Sequence, residues 1–208
     1  MTDNNILLSG QRLPICEEFY SIQGEGVNAG NAAYFIRLAG CDVNCKWCDT
    51  KQSWNVDNAT VCNVEDIAKR ALSSSAQNVV ITGGEPLMYN LEPLCQQLER
   101  YCLSVWLETS GTHYLSGSFD WICVSPKSFK PPLDEVLEQA HELKVVISSP
   151  EDFDFAQQCA SKVAAECVLT MQPEWSARET VAPLILDYVL KHPIWKMTVQ
   201  MHKYLNFK

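Results

Sequence analysis

From residue 33 onward, short apolar runs alternate with longer stretches in which apolar residues recur every three or four positions. The runs predict strands at residues 33–39, 78–82, 104–108, 120–124, 143–147, 166–172 and 196–201. The periodic stretches predict helices at 64–76, 91–102, 133–142, 151–164 and 177–191, with start signals at Asn63, Asn90 and Pro150-Glu151-Asp152. Strands separated by helices make a mostly parallel sheet, because parallel neighbours need a long crossover connection. The glycine-rich and polar signals fall directly after predicted strands: Gly40-Cys41, Thr82-Gly83-Gly84-Glu85-Pro86, Thr109-Ser110-Gly111-Thr112, Ser125-Pro126-Lys127, Gln172-Pro173 and His202-Lys203. Open sheets and β/α barrels carry their sites there, at the carboxyl ends of parallel strands.

Composition narrows the classes. The chain has 208 residues, of which 47% are hydrophobic and 20% charged, which suits a single domain that buries about 70% of its extended-chain surface. Residues 1–13 read as an N-terminal extension of unassigned role. A net charge of −9 removes the attraction to phosphate backbones that supplies non-specific nucleic-acid affinity, so long DNA or RNA is excluded as a partner. The start, Met1 to Leu8, has no basic residues and a short apolar patch, unlike a secretory signal, and no run is long enough for a membrane span. Ten cysteines without an export signal point to a reducing, cytoplasmic setting. Cys16, Cys62, Cys95, Cys102, Cys123, Cys159 and Cys167 follow no tight spacing and read as core filler.

The other three cysteines fall within one short run, Cys41-Asp42-Val43-Asn44-Cys45-Lys46-Trp47-Cys48. Three thiolates suit a cubane iron-sulfur cluster with one iron left open. Structural zinc competes, but it takes four ligands and usually two C-x2-C pairs, and there is no second pair; a distant fourth ligand stays open. An isolated G-G-E-P reads as a strand-to-helix turn. Beside an open iron, its backbone carbonyls and the Glu85 charge suit a ligand that carries an ammonium group.

The C-x3-C-x2-C spacing, Trp47 before the third cysteine and the following G-G-E-P together resemble the radical S-adenosylmethionine superfamily. That resemblance implies an α/β fold, an incomplete open (β/α) barrel of about six parallel strands. It also implies a 4Fe-4S cluster whose free iron chelates S-adenosylmethionine and yields a 5′-deoxyadenosyl radical. More narrowly, Ser21-Ile22-Gln23-Gly24-Glu25-Gly26, Phe35 to Cys41, Trp47-Cys48-Asp49-Thr50, Glu108 to Thr112, Val124 to Lys127 and Gln200 to Leu205 resemble the 7-carboxy-7-deazaguanine synthase family along nearly the whole chain.

This second resemblance implies conversion of 6-carboxy-5,6,7,8-tetrahydropterin to 7-carboxy-7-deazaguanine with loss of ammonia, in queuosine and 7-deazapurine biosynthesis. Hydrogen abstraction at C6 would start the ring contraction. It assigns Cys41, Cys45 and Cys48 to the cluster and Thr50 to Mg2+. Trp47, Gly84, Glu85, Ser110, Ser125, Pro126, Lys127, Gln172 and Glu174 go to S-adenosylmethionine, and Ile22, Gln23, Gly24, Glu25, Arg37, Thr82 and His202 to the pterin. The implied partners are an external one-electron donor of flavodoxin type and a second copy in a homodimer.

Read without the family, Gln23 and Glu25 lie on a glycine-flanked surface turn, Arg37 pairs with Glu25 or Glu85, and Thr50 caps a helix. Lys127 is then a solvated charge and His202 a core histidine. His113, His141 and His192 read as surface residues, and Lys144 has no settled role. An activase of a partner protein and a zinc-stabilised interaction protein are the rival functions.

Overall fold

The structure is a computed structural model that describes residues 9–57 and 59–208; the expectation placed on Met1 to Leu8 lies outside them. The chain packs as two compact units. The first comprises the chain up to Ser21, Ala32–Thr109 and His113–Trp121; the second comprises Ile22–Asn31, Ser110–Thr112 and Ile122–Lys208.

The first unit is a sheet with the order β3-β1-β2-β4-β5, made of β1 (Arg12–Ile22), β2 (Ala32–Leu38), β3 (Thr60–Asn63), β4 (Asn78–Gly83) and β5 (Ser104–Thr109). β2, β4 and β5 run parallel, whereas β3 lies antiparallel to β1. α1 (Val64–Ser73) buries Val64, Ile67, Ala68 and Ala71, one helical stripe. α2 (Glu92–Arg100) buries Leu94, Cys95 and Leu98. The Asn90 side chain accepts a hydrogen bond from the Glu92 N–H at 3.1 Å, in keeping with the predicted start signal. On one face of the sheet Phe19 stacks on Phe35 at 4.9 Å over Ala33, Val80 and Trp106.

The second unit carries β6 (Trp121–Val124), α3 (Asp134–Leu137), β7 (Glu142–Ile147), α4 (Glu151–Ala160), β8 (Val168–Pro173), α5 (Arg178–Lys191), β9 (Trp195–Met197) and α6 (Met201–Leu205). Its strands are ordered β6-β7-β8-β9, all parallel. Leu143, Val145 and Ile147 on β7 and Leu169 and Met171 on β8 are buried apolar residues on one face.

Three local readings change. The helix predicted at 133–142 is one turn, and Glu142 opens a strand, because His141 donates its backbone N–H to Ile122 O and starts the β7 ladder. The strand predicted at 196–201 is only Trp195–Met197, and Met201 begins a helix with its N–H on Gly24 O at 2.8 Å. β1 and β3 were not predicted. β1 mixes half-buried charged and apolar positions, so it lacks the continuous apolar run of a central strand.

Candidate functional site

In the first unit, the register pairs Arg37 with Thr82 and Leu38 with Gly83, so β2 and β4 end side by side. The cysteine loop that leaves β2 is closed on itself: Gly40 N–H donates to Ser53 O at 2.7 Å and Cys41 N–H to Trp54 O at 3.2 Å. Within it Cys48 N–H bonds Cys45 O at 3.0 Å, and Asn44 takes the left-handed conformation that asparagine tolerates. Cys45 is buried, Cys41 and Cys48 are half-buried, and none of the three is in a disulfide; Trp47 between them is half-buried. The run from Gly40 to Trp54 offers no histidine or fourth cysteine, a donor set that fits a cluster with one open iron.

Thr50 stands at the N-cap of the single turn Lys51–Ser53, yet its side chain makes no capping bond. Its hydroxyl lies 3.6 Å from Cys48 Sγ instead. The cap reading therefore holds for position and not for chemistry.

The Gly83-Gly84-Glu85-Pro86 strand end lies directly on this loop. Gly84 N–H donates to Leu38 O at 3.0 Å and Glu85 N–H to Gly40 O at 2.8 Å. A Cβ on Gly84 would meet Gly40 O at 2.1 Å, so glycine is needed for backbone contact. The Glu85 side chain is buried and accepts from Thr109 Oγ1 at 2.6 Å and from Leu87 N–H at 3.0 Å, which ties the strand end to β5.

Arg37 pairs with Glu17, not with Glu25 or Glu85: its Nε donates to Glu17 Oε1 at 2.8 Å. The Arg37 side chain is 16% exposed, and this bond leaves its two terminal nitrogens with no partner among the described residues. Thr82 is half-buried beside it. His113, read as a surface residue, lies 3.0 Å from Asp42 Oδ2, next to the first cysteine.

The second unit gathers the other positions on a buried polar row. In the β7–β8 register Lys144 faces Thr170 and Val146 faces Gln172, which puts Glu142, Lys144, Thr170 and Gln172 on one face. All four are buried. The loop Ile22–Asn31 lies on this row, held by Val27 N–H on Glu142 Oε2 at 3.0 Å and by Lys144 Nζ on Glu25 Oε2 at 2.9 Å. Gln23 is buried in the loop, its amide oxygen accepting from Glu25 N–H at 3.2 Å, so the surface-turn reading fails. Ile22 remains exposed. His202, on α6, packs against Gly24, where an added Cβ would stand 2.6 Å from His202 Nδ1.

Glu25 is 21% exposed. Burial would push its carboxyl up, but the Lys144 ammonium and its hydrogen bond, the Gln200 amide and His202 outweigh burial and hold it at about 2. Gln200 Nε2 donates to the other oxygen at 2.8 Å. The result is a carboxylate that is ionised, and so only an acceptor, at neutral pH.

Gln172 Oε1 is buried without a hydrogen-bond partner among the described residues, an acceptor that a bound molecule would satisfy. Ser110 is buried with its hydroxyl 3.0 Å from Thr112 Oγ1. Lys127 curls back onto Ser125, bonding its carbonyl and, at 2.9 Å, its hydroxyl, around buried Pro126. Glu174 accepts from Ser176 N–H, Ser176 Oγ and Ala177 N–H, so it seats the start of α5. Burial would raise its carboxyl too, and these bonds outweigh that and hold it below the ordinary range.

Glu17, Glu142, Lys144 and Gln200 were not assigned to the site from the sequence. Lys144 had a usable signal: a lysine inside Leu143-Lys144-Val145-Val146-Ile147, a strand buried on both faces, must find an anion. Of the remaining cysteines, burial pushes Cys95 up to about 12 and Cys159 and Cys167 to about 11, as inert core thiols should be. Cys102 departs from the core-filler reading, because it is exposed.

Known proteins share this organisation. The model of the family described as a 4Fe-4S single cluster domain matches residues 22–154. The chain is 48% identical over 197 residues to the 7-carboxy-7-deazaguanine synthase of Flavobacterium psychrophilum, covering 95% of this chain and 93% of that protein. It is 46% identical to the enzyme of that name from Synechocystis sp., over 94% of this chain and 93% of the relative. The crystal structure of QueE from Escherichia coli superposes with a TM-score of 0.85 at 30% identity, over 97% of this chain and 99% of that one. A likeness of this extent establishes the α/β fold with mostly parallel strands.

Proposed function

Because the chain belongs to the 7-carboxy-7-deazaguanine synthase family, of radical S-adenosylmethionine type, we propose that it rearranges 6-carboxy-5,6,7,8-tetrahydropterin to 7-carboxy-7-deazaguanine with loss of ammonia. The observation that carries this reading is the closed loop of three cysteines outside any disulfide, against which Gly84 fits only as glycine. Family membership disfavours both the activase and the zinc-stabilised alternative.

Cys41, Cys45 and Cys48 are the residues to hold a 4Fe-4S cluster. When bound, the cluster with S-adenosylmethionine supplies a carbon radical for hydrogen abstraction. The chain's own contribution is positioning. The unsatisfied Gln172 Oε1 accepts a hydrogen bond from the cofactor, and the Gly84 backbone, Ser110 and the Ser125-Pro126-Lys127 turn line it, with Trp47, Glu85 and Glu174 supporting their loops. The terminal nitrogens of Arg37, aimed by Glu17, suit the substrate carboxylate through two parallel hydrogen bonds. The ionised Glu25 accepts the paired N–H groups of the aminopyrimidinone edge, while Ile22, Gln23, Gly24, Thr82 and His202 complete the pterin contacts.

The Thr50 hydroxyl, which makes no capping bond, is the chain's ligand for Mg2+, an ion that takes few protein ligands when substrate oxygens and waters fill its octahedron. We further propose that the whole chain acts as one radical domain, in the cytoplasm, as a homodimer served by a flavodoxin-like donor. No helix among the described residues is long and apolar enough to cross a membrane.

The test is anaerobic cluster reconstitution followed by incubation with reductant, S-adenosylmethionine, Mg2+ and the carboxypterin, with mass spectrometry of the products. Deazaguanine formation that falls when a chelator removes Mg2+ supports both assignments. Formation of 5′-deoxyadenosine without the deazaguanine overturns the substrate.

A further inference from the structure

The buried row on β7 does more than fill space. Lys144, 4% exposed, has its ammonium on Glu25 Oε2 at 2.9 Å. Glu142, 1% exposed, sits two residues earlier on the same face and accepts from Val27 N–H and, at 2.8 Å, from Thr170 Oγ1. Gly26 has φ +69, and a Cβ there would stand 2.7 Å from Glu142 Oε1, so the loop backbone lies directly on this carboxylate. One strand thus grips the Ile22–Asn31 loop twice, by its backbone and by its Glu25 side chain. Gln200, just before α6, holds the second oxygen of Glu25 at 2.8 Å. A hydrophobic pair of similar volume would hold a loop equally well, so a buried charge pair here calls for a purpose beyond stability.

We propose that Lys144 is a positioning residue for substrate recognition, fixing the Glu25 carboxylate in one rotamer so that its remaining lone pairs meet the two N–H groups of the pterin edge, while Glu142 sets the height of the loop that carries it. The proposal rests on the reading of Glu25 as the carboxylate that reads the pterin. A carboxylate clamped at both oxygens cannot turn to accept from a differently spaced donor pair, which makes the ion pair a specificity device as well as an anchor. Lys144 touches no substrate in this scheme; its whole effect passes through Glu25.

The experiment uses the cluster-loaded protein with S-adenosylmethionine and measures the Kd of 6-carboxypterin by anaerobic calorimetry, without turnover. Lys144→Met is expected to weaken this Kd roughly ten- to a hundredfold, the range for disturbing one charge-assisted hydrogen bond. Iron content and the Kd of S-adenosylmethionine should stay unchanged. Lys144→Arg, which keeps the charge, should recover most of the loss.

The decisive comparison is between Glu25→Gln and the double variant Glu25→Gln with Lys144→Met, neither of which leaves an unpaired buried carboxylate, so misfolding of Lys144→Met does not spoil it. Equal Kd values in these two show that Lys144 acts through Glu25; a further tenfold loss in the double variant overturns the proposal. If Glu25→Gln itself binds 6-carboxypterin as tightly as the parent, the functional reading of Glu25 fails first, a result distinct from the failure of Lys144.

Discussion

Gly84→Ala tests whether the two strand-end loops of the first unit are locked together by backbone contact. The new methyl would lie 2.1 Å from Gly40 O, 2.6 Å from Gly40 C and 2.7 Å from Cys41 Cβ, none of which is the end of a flexible side chain. Relief needs the loops to part by about 1 Å to reach ordinary contact. That motion stretches the bonds from Gly84 N–H to Leu38 O and from Glu85 N–H to Gly40 O, now 3.0 and 2.8 Å, beyond hydrogen-bond range. Overpacking strain of about 1–3 kcal/mol and about 1–3 kcal/mol for each buried bond lost give a cost of at least about 3 kcal/mol. With a urea slope of about 2–3 kcal/mol per molar, the unfolding midpoint should fall by about 1 M or more. Iron bound per chain after reconstitution should fall with it, because Gly40 and Cys41 begin the loop proposed to hold the cluster. Gly30→Ala is the control: its φ is +93 but nothing lies within 4 Å, so its cost is confined to a conformational penalty of about 1–2 kcal/mol. A Gly84→Ala variant no less stable than Gly30→Ala, with full iron content, would show that the close approach does not matter.

Cys45→Ser should lose essentially all iron and sulfide on reconstitution while keeping its far-UV circular dichroism, since a chain of this size has a core that does not depend on the metal. Arg37→Lys should weaken 6-carboxypterin binding roughly ten- to a hundredfold by removing the fork, whereas Glu17→Gln, which only loosens its aim through Nε, should cost a few-fold; equal Kd values for the parent and Arg37→Lys would exclude Arg37 as the carboxylate clamp. Glu25 sits at about 2 against an ordinary 4.5, so its ion pair contributes stability fully above pH 4.5 and loses it progressively as pH falls toward 2. Urea titrations across that acid window should show a slope that Glu25→Gln removes, and an unchanged slope in the variant would place the titrating group elsewhere.

The central strands and the long helices were legible because their signals are local: an apolar run such as Val79-Val80-Ile81, or the stripe Val64, Ile67, Ala68, Ala71, states its own environment. The cysteine loop was legible for the same reason, since three cysteines so closely spaced need no distant partner to be noticed as a candidate metal site. β1 and β3 were not, because an edge pair draws its stability from a neighbour far away in sequence rather than from its own composition. The same limit applied to the side chains around the site. Sequence alone marked Arg37 and Glu25 as charges that require an explanation, but the choice of Glu17 over Glu25 or Glu85 as the partner of Arg37 depended on which strand lay beside β2. It also left Lys144 without a role, because 119 positions separate it from the carboxylate it holds. Spacing along the chain pointed to a metal centre; only the tertiary fold decided which buried charges meet, Lys144 with Glu25 and Arg37 with Glu17, because an ion pair forms by distance in space, and that distance exists only once strands and loops are in place.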